Sequence, residues 1–257
     1  MSVKHAQAAD ERGADPIDIL NRLTTPPLGW EQWGRFQQAI TALTSFVYFA
    51  AEQNLLTWTR WLTPEHEGVD RRGGRLCFPV IAAVEAWSVR ALDCLMNLGA
   101  DIRKKDLIYR AIVHHAVINN DLGMLQTIFQ YLTAISTLGM HDIIGMTPIL
   151  LAALSSTAAV VLELIKHGAS VSTCDEVGNT PMHFACNRAE PDPEVCRILL
   201  QNGADLMATN ERNEVPLQLL RRQLKDFPRS VDKTICQLVE GMQSVSLSEV
   251  LTRSQLG

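Results

Sequence analysis

A chain of 257 residues, 47% hydrophobic and 20% charged with a formal net charge of −5, has the composition of a globular protein with a substantial core. Its mild acidity excludes the broad basic surface on which nucleic-acid binders hold phosphates. Six scattered cysteines without a CxxC pair (Cys77, Cys94, Cys174, Cys186, Cys196 and Cys236) point to reduced thiols in a cytoplasmic or nuclear protein, not to a disulfide framework.

The polar opening MSVKHAQAADERGADP has no apolar signal core and predicts a disordered tail over residues 1–15. From Ile17, IDILNRL has helical spacing, which TTPPLGW (24–30) interrupts. With Trp30, Trp33 and Phe36 close behind, residues 16–40 read as capping helices, or alternatively as a short aromatic partner motif.

Residues 41–243 repeat. GMTPILLAA (145–153) aligns with GNTPMHFAC (178–186), and Asp142 and Asp175 precede them at one offset. Six anchors follow, Phe46, Pro79, Ile112, Pro148, Pro181 and Pro216, at spacings of 33, 33, 36, 33 and 35. Threonine then proline suits a helix start, because the hydroxyl can take an unpaired amide and proline has none to lose. Small pairs such as Ala82-Ala83 and Ala152-Ala153 allow close helix approach. Gly99, Gly168 and Gly203 are placed to end the second helix of a unit in a left-handed conformation. The apolar window 148–165 breaks at Ser155-Ser156-Thr157, so it predicts two buried helices and no membrane span. Residues 132–139 lack the glycine signature and make the third unit irregular, and 221–230 lengthen the last loop. Residues 244–257 form a C-terminal cap and tail, in which SLSE (246–249) has capping-box spacing.

The pattern D-x-x-G-x-T-P-x-H-x-A, then an apolar helix and G-A-D, resembles the ankyrin repeat family, strongly in two copies and by register in the others. The resemblance implies an all-α fold, an ankyrin-repeat α-solenoid of about six helix–turn–helix units joined by β-hairpin loops. It also implies that His183 holds backbone groups of a neighbouring hairpin. The competing assignment is a zinc site from Cys174, His183, Cys186 and Cys196, but its spacing fits no common zinc module. Of His114-His115, one fills the motif's histidine slot and the other is expected to face the groove.

No phosphate loop, G-x-S-x-G or H-E-x-x-H occurs, so neither catalytic residues nor a cofactor nor a metal is predicted. The resemblance implies instead a protein partner in a concave groove lined by hairpin tips and first helices. Transferring those slots yields Arg75, Leu107, Ile108, Arg110, Ile143, Ile144, Met146, Glu176 and Arg212, with Glu85, Ile118, Leu154 and Arg188 on the helices. Between Asp70 and Lys105 seven basic residues, among them Arg103, Lys104 and Lys105, face four acidic ones. From Glu163 to Glu214 nine acidic residues outnumber four basic ones. The expected partner therefore offers an apolar anchor with an acidic segment, while the free chain is a monomer. Two alternatives stand. Leu107, Ile108, Ile143, Ile144 and Met146 either form an open apolar patch or are buried between repeats, and the charges either steer a partner or are a solvated face. The expected roles are adaptor, scaffold or inhibitor. A permanently bound regulatory or assembly subunit and a pathogen effector mimicking host ankyrin proteins are the alternatives.

Overall fold

The computed structural model describes residues 48, 51, 52, 68–74, 76–131, 137–189 and 191–223. The expected tail, both caps, the Phe46 anchor, Arg75 and residues 224–230 of the expected 221–230 loop lie outside them, while residues 221–223 of that loop are helical instead. Among the described residues the fold is helical, and its only β features are the isolated bridges Gly73–Cys77 and Lys105–Ala111. The helices are α1 (Pro79–Glu85), α2 (Val89–Asn97), α3 (Ile112–Ile118), α4 (Leu122–Tyr131), α5 (Pro148–Ser155), α6 (Ala158–Lys166), α7 (Pro181–Cys186), α8 (Pro193–Gln201) and α9 (Pro216–Gln223). Each of the five anchors from Pro79 onward is the first residue of a helix. None of these helices is long and apolar enough to cross a membrane.

Two compact units divide the chain, residues 1–119 with 126–133, and residues 120–125 with 134–257. In the first, α1 packs on α2 and α3. Its core is Val80, Ile81, Val84, Leu92, Leu95, Ile112 and Val113, all buried. In the second, α5 packs on α6 and α7, α6 on α8, and α7 on α8 and α9, around Ile149, Leu150, Leu164, Met182, Leu199 and Leu217. Alanines at Ala82, Ala83, Ala152, Ala153 and Ala185 are fully buried, where a larger side chain would push neighbouring helices apart.

The second helices end alike. Gly99, Gly168 and Gly203 have φ of 86°, 94° and 89°. The following alanine amides, Ala100, Ala169 and Ala204, each donate back to Leu95, Leu164 and Leu199 at 3.0 Å. That pairing satisfies helix-end carbonyls in a left-handed stop that glycine enters without strain.

The first helices start on a second recurring device. Thr180 N–H donates to Nδ1 of His183 at 3.1 Å, and Nε2 of His183 donates to the Glu214 carbonyl of the next hairpin at 3.1 Å. His183 therefore ties one repeat to the next. In the first unit Ala111 N–H donates to His114 Nδ1 at 3.2 Å, and in the last repeat Val215 N–H donates to Gln218 Oε1 at 3.2 Å. The slot needs an acceptor, whether imidazole or amide. In α5 it is filled by Leu150, and the buried Thr147 hydroxyl is left without a partner.

Two outcomes follow for stability in urea. Thr147→Val removes an unsatisfied buried hydroxyl and is expected to be neutral or stabilising by up to about 1 kcal/mol, whereas Thr180→Val destabilises by about 0.5–1.5 kcal/mol. Burial lowers the His183 pKa from the ordinary 6.5, outweighing its bond to Glu214 and the nearby Asp175 carboxylate. The fold thus binds the neutral ring while the unfolded chain takes up a proton. This contribution to stability is intact above about pH 6.5 and is lost as pH falls toward the native value. His183→Gln, which reproduces the acceptor at Gln218, is expected to abolish that slope, and His183→Ala to cost about 1–3 kcal/mol. A His183→Ala variant that melts like the wild type would contradict the tie.

Candidate functional site

The candidate site is built by a turn repeated in four hairpins. Asp106, Asp142, Asp175 and Asn210 each stand six residues before a helix anchor. In each, one side-chain oxygen accepts two backbone N–H groups: Ile108 and Arg110 on Asp106 (2.9 and 2.9 Å), and Ile144 and Met146 on Asp142 (3.0 and 2.9 Å). Val177 and Asn179 bond Asp175 (2.9 and 2.8 Å), and Arg212 and Glu214 bond Asn210 (2.9 and 2.9 Å). The backbone closes the same loop, with Asp106 N–H to Arg110 O and Asp142 N–H to Met146 O. Short polar side chains favour such local acceptance, and the carboxylates do it with charge.

This turn separates tip from base. The two residues after the acidic one point outward: Leu107 is 70% exposed, Ile108 38%, Ile143 59% and Ile144 61%. Glu176, Glu211 and Arg212 are exposed at corresponding positions. The residue four places after the acidic one lies at the base, where its carbonyl accepts the return bond. Met146 is therefore buried, at 5% exposure, and does not join the expected open patch. Cys77, at that slot in its hairpin, is buried as well. Leu107 and Ile108 belong to the first unit, Ile143 and Ile144 to the second.

In the first unit the hairpin is braced from below. His115 is buried, with Nδ1 2.6 Å from Glu85 Oε1 and Nε2 3.1 Å from Asp106 Oδ2. It does not face the groove, as the sequence suggested for one of the two histidines; two carboxylates hold it inside. Glu85, expected as a groove residue, is half-buried in this cluster. His115 stands where the other repeats place Leu151, Phe184 and Leu219. Sequence register gave no sign of this network, because Glu85 and Asp106 flank His115 only once α1 and α3 pack.

Around the tip the cations face outward. Arg103 pairs with Asp101 at 3.0 Å, a bond that lowers the Asp101 pKa, and Lys104 lies 3.9 Å from Asp70. Arg72 and Lys104 stand over the Phe78 ring at 5.4 and 5.3 Å. Lys105 and Arg110 are half-buried beside them. Tyr109 fills the turn position that Gly145 and Gly178 occupy in the next hairpins, has φ of 63° and is 58% exposed. Sequence reasoning missed this residue. Its signal was the absence of glycine three residues before Ile112.

In the second unit Ile143 and Ile144 share the surface with Leu154, 42% exposed. A Cβ on Gly145, whose φ is 76°, would stand 3.0 Å from Cγ of Glu176, so this hairpin tip packs directly on the next. Glu211 N–H donates to Val177 O at 3.0 Å and continues that stack. Arg188, expected to face the groove, instead donates to the carbonyls of Ala152, Ala153 and Ser156, each at 2.8 Å, and closes the C-terminal end of α5. Burial lowers its pKa.

The zinc assignment meets a physical obstacle. Both His183 nitrogens are already engaged, and Cys174 is exposed. The neighbouring Cys196 thiol together with burial raises Cys186 well above the ordinary thiol range. No group of three His, Cys, Asp or Glu side chains among the described residues is arranged to hold a metal ion.

The family model described as Ankyrin repeats (3 copies) matches residues 113–210. Human Neurogenic locus notch homolog protein 1 is 32% identical over 125 residues, covering 49% of this chain and 5% of that protein. Human Protein phosphatase 1 regulatory subunit 27 is 38% identical over 76 residues, covering 30% of this chain and 48% of the relative. The match thus spans about half of the phosphatase subunit and a small fraction of the Notch protein. An ankyrin repeat domain from Acinetobacter baumannii AYE superposes with a TM-score of 0.66 at 20% identity, over 76% of this chain and 96% of that one, and it shares the fold. With the repeated Asx turn, the glycine helix stops and the histidine tie in place, residues 113–210 match ankyrin repeats and the chain shares the all-α solenoid fold of an ankyrin repeat domain.

Proposed function

We propose that this chain is a non-catalytic protein-binding module, an adaptor, scaffold or inhibitor that takes its partner on the hairpin tips. Ankyrin repeats are in general protein–protein interaction modules, and the repeats here carry the side chains such a role needs. The observation that carries the reading is the pairing of exposed aliphatics on turns fixed from within: Leu107 with Ile108, and Ile143 with Ile144. Adjacent exposed aliphatic chains are costly to leave in water, and each one buried contributes about 1.5–3 kcal/mol, so a few can dominate a standard interface. Arg103, Lys104, Lys105 and Arg110 supply a polar rim in the first unit, and Glu176 and Arg212 in the second. The five free cysteines among the described residues suit the reducing cytoplasm or nucleus.

A second reading, a permanently bound regulatory subunit, is favoured by the likeness to a phosphatase regulatory subunit. A permanent interface is larger and more apolar, so the free chain would then self-associate or precipitate at concentrations where an adaptor stays monomeric.

Affinity purification with mass spectrometry, run on wild type beside Leu107→Asp with Ile143→Asp, tests the main reading. The double variant is expected to melt like the wild type and to lose the captured proteins. If it unfolds, or captures the same set, the hairpin tips are not the binding surface.

A further inference from the structure

We propose that Tyr109 is the specificity-determining residue of the first unit's hairpin, and that the tip reads an acidic protein segment carrying an apolar side chain. This rests on the protein-binding reading above and names the partner's chemistry. Four independent features meet at the 106–110 hairpin.

The first is backbone strain. The turn position is left-handed in this hairpin and in its successors, with φ of 63° at Tyr109, 76° at Gly145, 78° at Gly178 and 59° at Asn213, the last a residue type that tolerates this region better than an aromatic. Glycine enters that region freely, whereas a bulky aromatic does so against the contact of its Cβ with the backbone. The tyrosine ring gains little burial in return, since the residue is 58% exposed. A strained residue that folding does not reward is retained for something outside the fold.

The second feature is rigidity. Asp106 holds the Ile108 and Arg110 amides on one oxygen, and His115 holds its other oxygen while reaching Glu85. A buried polar bridge has replaced the apolar residue found at that helix position in later repeats, and it fixes the tip before any partner arrives. Pre-ordering lowers the entropy lost on binding.

The third is the apolar run itself, because Leu107, Ile108 and Tyr109 are all exposed in sequence. Aromatic anchors of this kind dominate interfaces when a partner excludes water around them.

The fourth is charge, and it selects the partner. Near the tip the Asp106 side chain is 7% exposed against His115, Asp101 and Arg103 pair with each other, and Lys104 lies 3.9 Å from Asp70. Arg103 is 68% exposed and Lys104 is 32% exposed, with Lys105 and Arg110 half-buried alongside. Four basic residues within a few positions of the tip leave it a cationic surplus, which complements carboxylates flanking an apolar side chain.

A display library of random linear peptides, selected on immobilised wild-type protein and counted by sequencing, provides the probe. Recovered peptides are expected to be rich in Asp and Glu around an apolar residue and to bind more weakly as salt rises. Their affinity is expected to fall about tenfold or more in Tyr109→Gly, and again in Lys104→Glu with Lys105→Glu, and to survive in Tyr109→Phe. The melting temperature of Tyr109→Gly is expected to equal or exceed that of the wild type. A ring needed for folding would lower it, and that result overturns the assignment. Peptides without acidic preference, equal binding to Tyr109→Gly, or no recovery above background also overturn it. So does retention on phosphatidylserine vesicles without affinity for acidic peptides, which would make the tip a lipid anchor. Binding that survives Tyr109→Gly but fails in Leu107→Asp removes this inference alone and leaves the protein-binding reading standing.

Discussion

Each of the four Asx hairpins depends on one side-chain oxygen accepting two amides. Without it, the residues from 106 to 110, 142 to 146, 175 to 179 and 210 to 214 would each leave two N–H groups to find water. Bonds from amides to a charged acceptor contribute about 1.5–3 kcal/mol each, enough to decide the shape of a five-residue loop. That shape starts the next helix on its anchor and stacks one hairpin on the next through Glu176 over Gly145 and Glu211 on Val177. It also turns two side chains toward solvent in three of the hairpins and Glu176 in the other. Gly73 stands where the Asx residue is missing, and there a tyrosine holds a different amide of the hairpin. The Tyr48 hydroxyl accepts Leu76 N–H at 3.2 Å, and its ring lies so close that a Cβ on Gly74 would fall 2.1 Å from it.

Stability and the proposed recognition are therefore divided within each repeat. Positions at the base of the turn and along the helices are used for stacking. The His183 tie to Glu214, the Arg188 closure of α5 and the buried alanines all belong there. Tip side chains such as Leu107, Ile108, Ile143 and Ile144 are exposed instead, so their composition is freer to follow a partner. In the first unit the tip is aliphatic, aromatic and cationic, while Glu176 and Glu211 make the later tips of the second unit acidic.

Helix starts were readable from the chain because proline, alanine pairs and glycine act locally. Pro79, Pro148, Pro181 and Pro216 begin helices, and Gly99, Gly168 and Gly203 end them, wherever tertiary contacts lie. Register also located the tips, since Leu107, Ile108, Ile143 and Ile144 are exposed. It could not separate tip from base. Met146 lies two residues beyond Ile144, and only the return bond from Asp142 to its carbonyl turns it inward. His115 and Arg188 were misplaced for another reason. Their distant partners, Glu85 for one and the end of α5 for the other, come from different elements, and spacing carries no information about a contact 30 or more residues away.

Amide hydrogen exchange at Ile108, compared between wild type and Asp106→Ala, tests the central constraint most directly. Ile108 sits on an exposed tip, so its amide would exchange quickly unless the Asp106 carboxylate holds it. Slow exchange of Ile108 and Arg110 in the wild type, lost in Asp106→Ala while the amides of α5 stay protected, is the predicted result. Fast exchange of both amides in the wild type would contradict it and leave the hairpin tips without the rigidity on which their proposed binding role depends.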